Sequence, residues 1–167
     1  MIEADLQLAA EQLAIREVLD NYCRGLDRMD KPLARTVFAS DSRVNYHGMY
    51  EGSGHGFIDW VWESHAALER HSHQITNVLI EVDGVSAVSE AYVTVALWTL
   101  TDAAGKQQEI IGRGRYLDRW RKLSGRWTIS EREFVMDMHS VQPLQRGEVS
   151  AEARRDRQDA SYRFFGG

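Results

Sequence analysis

Two histidines one residue apart, His71 and His73, open an apolar run in a chain that holds six histidines in all. Imidazole is the side chain whose ordinary pKa lies near neutral, so a histidine on a covered surface is a candidate general base. Residues two apart in a strand share a face, so both rings point the same way. Two imidazoles at that spacing could also be metal ligands. A metal site needs a third ligand and supporting carboxylates, and no His-x-x-x-His, His-Glu-x-x-His or cysteine cluster accompanies these two. The reading is therefore no metal and no cofactor. His71, at the strand end, reads as an ordinary histidine satisfied by backbone or solvent.

His73 differs through its neighbours in the strand. Ile75 and Leu79 share its parity, with Asn77 between them, which aims its ring over a covered apolar surface. A covered imidazole needs a hydrogen-bond partner to offset its desolvation. Asp27 is the candidate, because it lies four residues after Cys23 and borders the apolar stripe of the first helix. A carboxylate on one imidazole nitrogen fixes the tautomer and raises the basicity of the other nitrogen. This is the orienting half of a hydrolase triad without its serine. The same two residues could equally be a structural pair pinning helix to sheet, and spacing alone does not choose between these.

Tyr22, on the same helix stripe, would stay protonated at neutral pH and could donate to a developing oxyanion; its alternative role is core filler. Arg132, in the last strand with the parity of Ser130, Phe134 and Met136, could steady negative charge. Arg113, Arg115 and Arg119 read as a solvated cross-strand ladder. The glycines of Glu51-Gly-Ser-Gly-His-Gly56 precede a helix without a buried parallel strand, so they form a turn and cap rather than a phosphate cradle. Cys23 has no Cys-x-x-Cys partner and reads as an inert core thiol. No Gly-x-Ser-x-Gly elbow supports serine catalysis.

The elements that must bring these groups together emerge from hydrophobic period. Ile15, Val18, Leu19, Tyr22, Cys23 and Leu26 form one helical stripe within a helix from Leu6 to Leu26. A short helix through Ala39 carries Pro32 in its first turn, with Asp30 or Lys31 at the cap. A strand over 42–50 puts Val44 and Tyr46 on one face. Ser53 caps a further helix whose face holds Phe57, Trp60, Val61 and Leu68. The period then shifts to two, giving strands at about 73–82, 86–100, 107–121 and 126–139. Asp83-Gly84, Asp102-Ala-Ala-Gly105 and Ser124-Gly125 supply hairpin turns, which imply an antiparallel sheet. Helices followed by a meander predict an α+β architecture with the helices on one sheet face. The strands are apolar on both faces, so a second copy of the chain is expected on the other face, as a homodimer or homotrimer.

At 167 residues, one domain is expected over 1–146, with a polar tail over 147–167 that wraps a surface or stays loose. A net charge of -5 argues against a nucleic-acid partner. No apolar stretch reaches the roughly 18 residues of a membrane span. One cysteine and an acidic N-terminal stretch point to a cytoplasmic protein.

The series Ile15-Arg-Glu, Tyr22-Cys-Arg-Gly-Leu-Asp27, Asp41, His73-Gln-Ile-Thr-Asn77, Gly112-Arg-Gly-Arg-Tyr116 and Gly125-Arg-Trp127 resembles the SnoaL-like branch of the nuclear-transport-factor-2-like superfamily. The resemblance runs from about Leu13 to Met138. It implies a cone, or cystatin-like fold, in which a strongly curved antiparallel sheet wraps the N-terminal helices around a deep apolar pocket. In dehydratase and dehydrohalogenase members an Asp ending the first helix pairs with a His opening a central strand, which here are Asp27 and His73. Tyr22 matches a tyrosine of the bile-acid 7α-dehydratase, and Arg132 an arginine of the hexachlorocyclohexane dehydrochlorinase pocket. Tyr46 and His47 are the candidates for the tyrosine and second histidine of the scytalone dehydratase pocket.

The expectation is a cofactor-independent lyase, a dehydratase or related elimination enzyme, acting on a bulky aromatic, polyketide or steroid-like molecule. His73, Asp27, Tyr22 and Arg132 would be catalytic, with a pocket wall of Tyr46, Phe57, Trp60, Val61, Leu79 and Trp98. The same pair could serve an isomerase, a cyclase or an aldehyde-releasing carbon–carbon lyase. Non-catalytic alternatives are a β-subunit of a ring-hydroxylating dioxygenase or a small-molecule binding module.

Overall fold

The computed structural model describes residues 2–145 and 147–165; Met1, Arg146, Gly166 and Gly167, the ends of the expected domain and tail among them, lie outside the described residues. The first helix, α1, spans Ile2–Asp27 and buries Ile15, Leu19, Tyr22, Cys23 and Leu26, as the stripe predicts. It begins four residues earlier than expected, and Ile2, Leu6 and Leu13 in its first half are exposed. The helix α2 (Lys31–Thr36) is capped by Asp30, whose carboxylate accepts from the Leu33 N–H. It ends short of Ala39 because Phe38 already belongs to a strand. Gly25 lets α1 and α2 touch: a Cβ there would lie 2.7 Å from the Ala34 backbone nitrogen.

Strand β1 (Phe38–Asn45) leads through a tight turn to β2 (Glu51–Ser53), a short pairing strand the sequence did not signal. Ser53 caps α3 (Gly54–Ala66) by accepting from the Gly56 N–H at 3.1 Å. Leu68, expected on the face of this helix, is the first residue of the next strand. That strand, β3 (Leu68–Asp83), with β4 (Ser86–Thr99), β5 (Gln108–Leu123) and β6 (Arg126–Pro143), forms the antiparallel meander. The β5–β6 hairpin turns on Ser124 and Gly125, both at positive φ, which matches the twist of the strands they join. The sheet order is β2-β1-β6-β5-β4-β3, and β1 runs parallel to β6, the one parallel pairing among the described strands.

The sheet curves around α1 and α3, an α+β cystatin-like cone. Its inner face carries Ala91 and Val93 of β4, Tyr116 and Trp120 of β5, and Trp127, Ile129 and Phe134 of β6. Two register shifts decide which side chains face in. One lies between Ile75 and Val78 of β3, so the residues packed on the core are Ile75, Val78, Ile80 and Val82. A bulge inserts an extra residue and reverses parity beyond it. The other lies in β6, where burial passes from Trp127 and Ile129 to Arg132 and Phe134. Among the described residues no helix is long and apolar enough to cross a membrane.

The polar C-terminal segment is docked. A short helix, α4 (Tyr162–Phe165), closes it, and Arg28 and Asp159 form an ion pair at 3.2 Å that holds it against the end of α1.

Candidate active site

Asp27 is the last residue of α1 and His73 lies near the start of β3, which packs along that helix. His73 Nδ1 lies 2.7 Å from Asp27 Oδ1, and the His73 backbone N–H reaches Oδ1 at 3.1 Å and Oδ2 at 3.0 Å. The side chains are 4% and 13% exposed respectively, so the contact sits where bulk water is nearly excluded. The carboxylate can only accept, so Nδ1 carries the proton and Nε2 is the free basic nitrogen.

Tyr22, five residues before Asp27 along α1, meets the His73 ring edge to face with centroids 6.5 Å apart. Its hydroxyl shares a 3.1 Å hydrogen bond with that of Tyr46. Burial raises the Tyr22 phenol well above its ordinary value, and Tyr46 adds to this while Arg132 opposes it. Burial likewise raises Tyr46, against the pull of Arg132. Both phenols therefore remain proton donors across the physiological range. Phe57 stacks on Tyr46 at 4.3 Å, and Val61 is buried on the same helix face.

The β6 register shift turns Arg132 inward opposite Asp118. Its Nε and Nη2 form a two-pronged pair with the Asp118 carboxylate at 2.7 and 2.8 Å, with both side chains fully enclosed. The guanidinium lies over both the Tyr22 and the Tyr116 ring, 4.4 and 4.0 Å from their centroids, where the two rings meet edge to face. Burial works against its charge, but Asp118 outweighs it and holds the arginine firmly protonated. Nη1 has no hydrogen-bond partner. Arg132 thus stands against the phenol pair, over the Tyr22 ring and close enough to Tyr46 to act on its hydroxyl.

A third ring was not anticipated. His65, in the last turn of α3, packs at a tilt against His71 with centroids 4.1 Å apart and lies 5.4 Å from His73. Its signal was present: Phe57, Val61 and His65 recur every four residues, the stripe of a buried helix face. Burial, with its two histidine neighbours, lowers His65 to about 2. Its Nδ1 has no partner. Among the described residues no group of three or more His, Cys, Asp or Glu side chains is arranged to hold a metal. His71 is ordinary in the sense expected: buried, it bonds the Leu26 carbonyl through Nε2 at 2.9 Å. Cys23, pushed up to about 12 by burial and by Asp27, is an inert thiol.

The comparisons with known proteins show the family and the fold. A family model described as a SnoaL-like domain matches residues 7–133. The chain belongs to the SnoaL-like family. Rv3472 from Mycobacterium tuberculosis, a protein of unknown function, is 29% identical, with a TM-score of 0.66 over 80% of this chain and 75% of that one. A putative scytalone dehydratase from Novosphingobium aromaticivorans is 21% identical, with a TM-score of 0.71 over 89% of this chain and 100% of that one. A hexachlorocyclohexane dehydrochlorinase from Novosphingobium barchaimii is 17% identical, with a TM-score of 0.72 over 87% of this chain and 98% of that one. The last two likenesses are of fold. No curated protein matches the chain at a significant level.

Several expected wall residues of this SnoaL-like chain lie elsewhere. Leu79 is 69% exposed, because the β3 bulge turns it outward opposite Glu90. Trp98 has the outward parity of Tyr92; its indole N–H donates to Glu109 at 2.9 Å, and it lines a separate 230 Å³ cavity with Arg70 and Gln107. Trp60 is 39% exposed, since the inward phase of α3 is Phe57, Ile58, Val61 and His65. His47 is exposed and pairs with Glu133 at 2.8 Å, so it is not a second pocket histidine. Arg115 and Arg119 do form the outer ladder, with Asp137 and Glu131.

Proposed function

We propose that this SnoaL-like chain is a cofactor-independent lyase of the elimination type, acting on a bulky apolar aromatic, polyketide or steroid-like molecule. The observation that carries the reading is the closed 2.7 Å contact between His73 Nδ1 and Asp27. Nε2 removes a proton from carbon beside an activating group, and Asp27 stabilises the imidazolium that forms. Tyr22, held protonated by burial, donates to the carbonyl or to the departing oxygen. The Tyr46 hydroxyl orients that donor, and the Arg132 guanidinium, over the Tyr22 ring, adds positive charge beside it.

With the His73 side chain only 4% exposed, a bulky molecule reaches Nε2 only when side chains packed over the ring move aside. Tyr46, Phe57 and Val61 are buried in the core beyond Tyr22, with Tyr46 stacked on Phe57 at 4.3 Å. A scaffold subunit or a binding module has no need of an imidazole enclosed with a carboxylate, which favours the enzyme. The outer sheet face exposes Val88, Tyr92 and Met138, which supports a homo-oligomer paired there.

The test is product mass on incubation with hydroxylated aromatic, polyketide and steroid compounds. Loss of one water identifies the dehydratase. Unchanged mass with a new isomer identifies an isomerase or cyclase, and loss of an aldehyde a carbon–carbon lyase. Each should vanish in His73→Ala, and turnover that survives that substitution contradicts the reading.

A further inference from the structure

The C-terminal segment lands on residues that flank both members of the pair. Tyr162 donates to Asp30 at 2.8 Å and Asp159 pairs with Arg28, on either side of the turn just after Asp27. Arg70, three residues before His73, donates to the Ala153 carbonyl at 2.8 Å. Between these anchors Arg155 reaches inward. Its Nη1 lies 2.9 Å from the His65 carbonyl and 3.2 Å from His71 Nδ1.

That last contact fixes a proton. Arginine has donors and no acceptor, so His71 Nδ1 must accept. A neutral imidazole then carries its single hydrogen on Nε2, which faces the Leu26 carbonyl at 2.9 Å. The Leu26 carbonyl, in the last turn of α1, accepts from the Met29 N–H at 2.9 Å, and the His71 Nε2–H is the second donor that joins this helix end to β3. The opposite tautomer would set a lone pair against that carbonyl and a proton against the guanidinium.

We propose that Arg155 is a positioning residue for the Asp27–His73 pair, acting through His71. It selects the His71 tautomer whose Nε2–H ties the end of α1 to β3, and so holds the Asp27 carboxylate on His73. The C-terminal segment is therefore part of the site rather than an appendage. The inference rests on the lyase reading for its catalytic meaning, but its geometry is measurable without a substrate.

The test is nitrogen-15 NMR of the imidazole rings in the full chain, in wild type, Arg155→Met and Arg155→Lys. Wild type should show His71 protonated on Nε2 alone and a slowly exchanging His73 Nδ1 proton. Arg155→Met, which keeps an apolar stem, should mix the His71 tautomers and speed exchange of the His73 proton at least tenfold. Arg155→Lys, which restores a cationic donor, should bring both signals back toward wild type. An unchanged His71 tautomer and His73 exchange rate in Arg155→Met overturns the proposal. If that variant does not fold, a wild-type His71 protonated on Nδ1 overturns it equally. With a substrate in hand, Arg155→Met should lower kcat more than it changes KM. A tautomer lock in a protein that turns nothing over sinks the lyase reading and leaves this placement of Arg155 standing.

Discussion

Asp27 accepts three hydrogen bonds from His73, two from the backbone N–H and one from the ring. One carboxylate thereby fixes the strand against the helix and sets the imidazole rotamer. Structural and catalytic roles coincide, which is why spacing alone could not separate them. An amide in its place must turn its NH₂ toward a donor. Asp27→Asn is expected to cost about 1–3 kcal/mol in a denaturation curve. It should lower turnover by roughly 10²- to 10⁴-fold, because the ring loses its orienting acceptor. Wild-type activity in that variant would show that the pair only pins the fold.

The enclosed Arg132–Asp118 pair predicts an asymmetric mutational response. Asp118→Ala leaves a buried guanidinium without its counter-charge and should destabilise by about 3–5 kcal/mol. Replacing both residues together, as Asp118→Leu with Arg132→Met, should recover much of that loss while abolishing turnover. Urea midpoints of the single and double variants decide it. A single variant within about 0.5 kcal/mol of wild type contradicts the buried-pair account.

The β3 bulge predicts opposite sensitivities at neighbouring positions. Leu79 faces out and Ile80 packs on the core. Leu79→Ala should stay within about 0.5 kcal/mol of wild type. Ile80→Ala should cost about 2 kcal/mol or more, given its part-buried side chain. The reverse order would mean that strand parity runs unbroken from His73.

Acid should unfold the protein early. Burial lowers His71 to about 4 and His65 to about 2, from an ordinary 6.5. The Leu26 carbonyl partly opposes the shift at His71, whereas the neighbouring rings and Arg155 deepen it at His65. The unfolded chain takes up both protons as pH falls through 6.5, while the fold refuses them. Stability is thus complete above that value and is lost as pH drops toward 4, with a slope of about 2–3 kcal/mol per pH unit at about pH 5. Denaturation midpoints across that range measure it, and His65→Leu should remove nearly half of the slope. A flat profile would mean that both rings are hydrated in the fold.

Much of this was legible before any coordinates. The stripe from Ile15 to Leu26 placed Asp27 on the inward flank of α1, and the change of period near Arg70 placed His73 on a facing strand. The Asp30 and Ser53 caps and the glycine turns are local chemistry, and they fell where their residues stand. Leu79 could not be placed, because a bulge is an extra residue in a register and leaves no mark in composition. Trp98 stands outside the expected wall because its parity in β4 is outward, where Glu109 satisfies its indole. The parallel pairing of β1 with β6 joins segments some ninety residues apart, a distance over which period says nothing. Arg155 was hidden because a charged tail reads as solvated until its partners are known.

The central claim is that His73 takes a proton from carbon, a step shared by elimination, isomerisation and carbon–carbon cleavage. Deuterium incorporation from heavy water into hydroxylated aromatic, polyketide and steroid carbonyl compounds measures that step whatever the product. The wild-type chain should accelerate exchange at the carbon beside the activating group of at least one class, and His73→Ala should not. Exchange that persists undiminished in His73→Ala, with the chain still folded, would contradict the account.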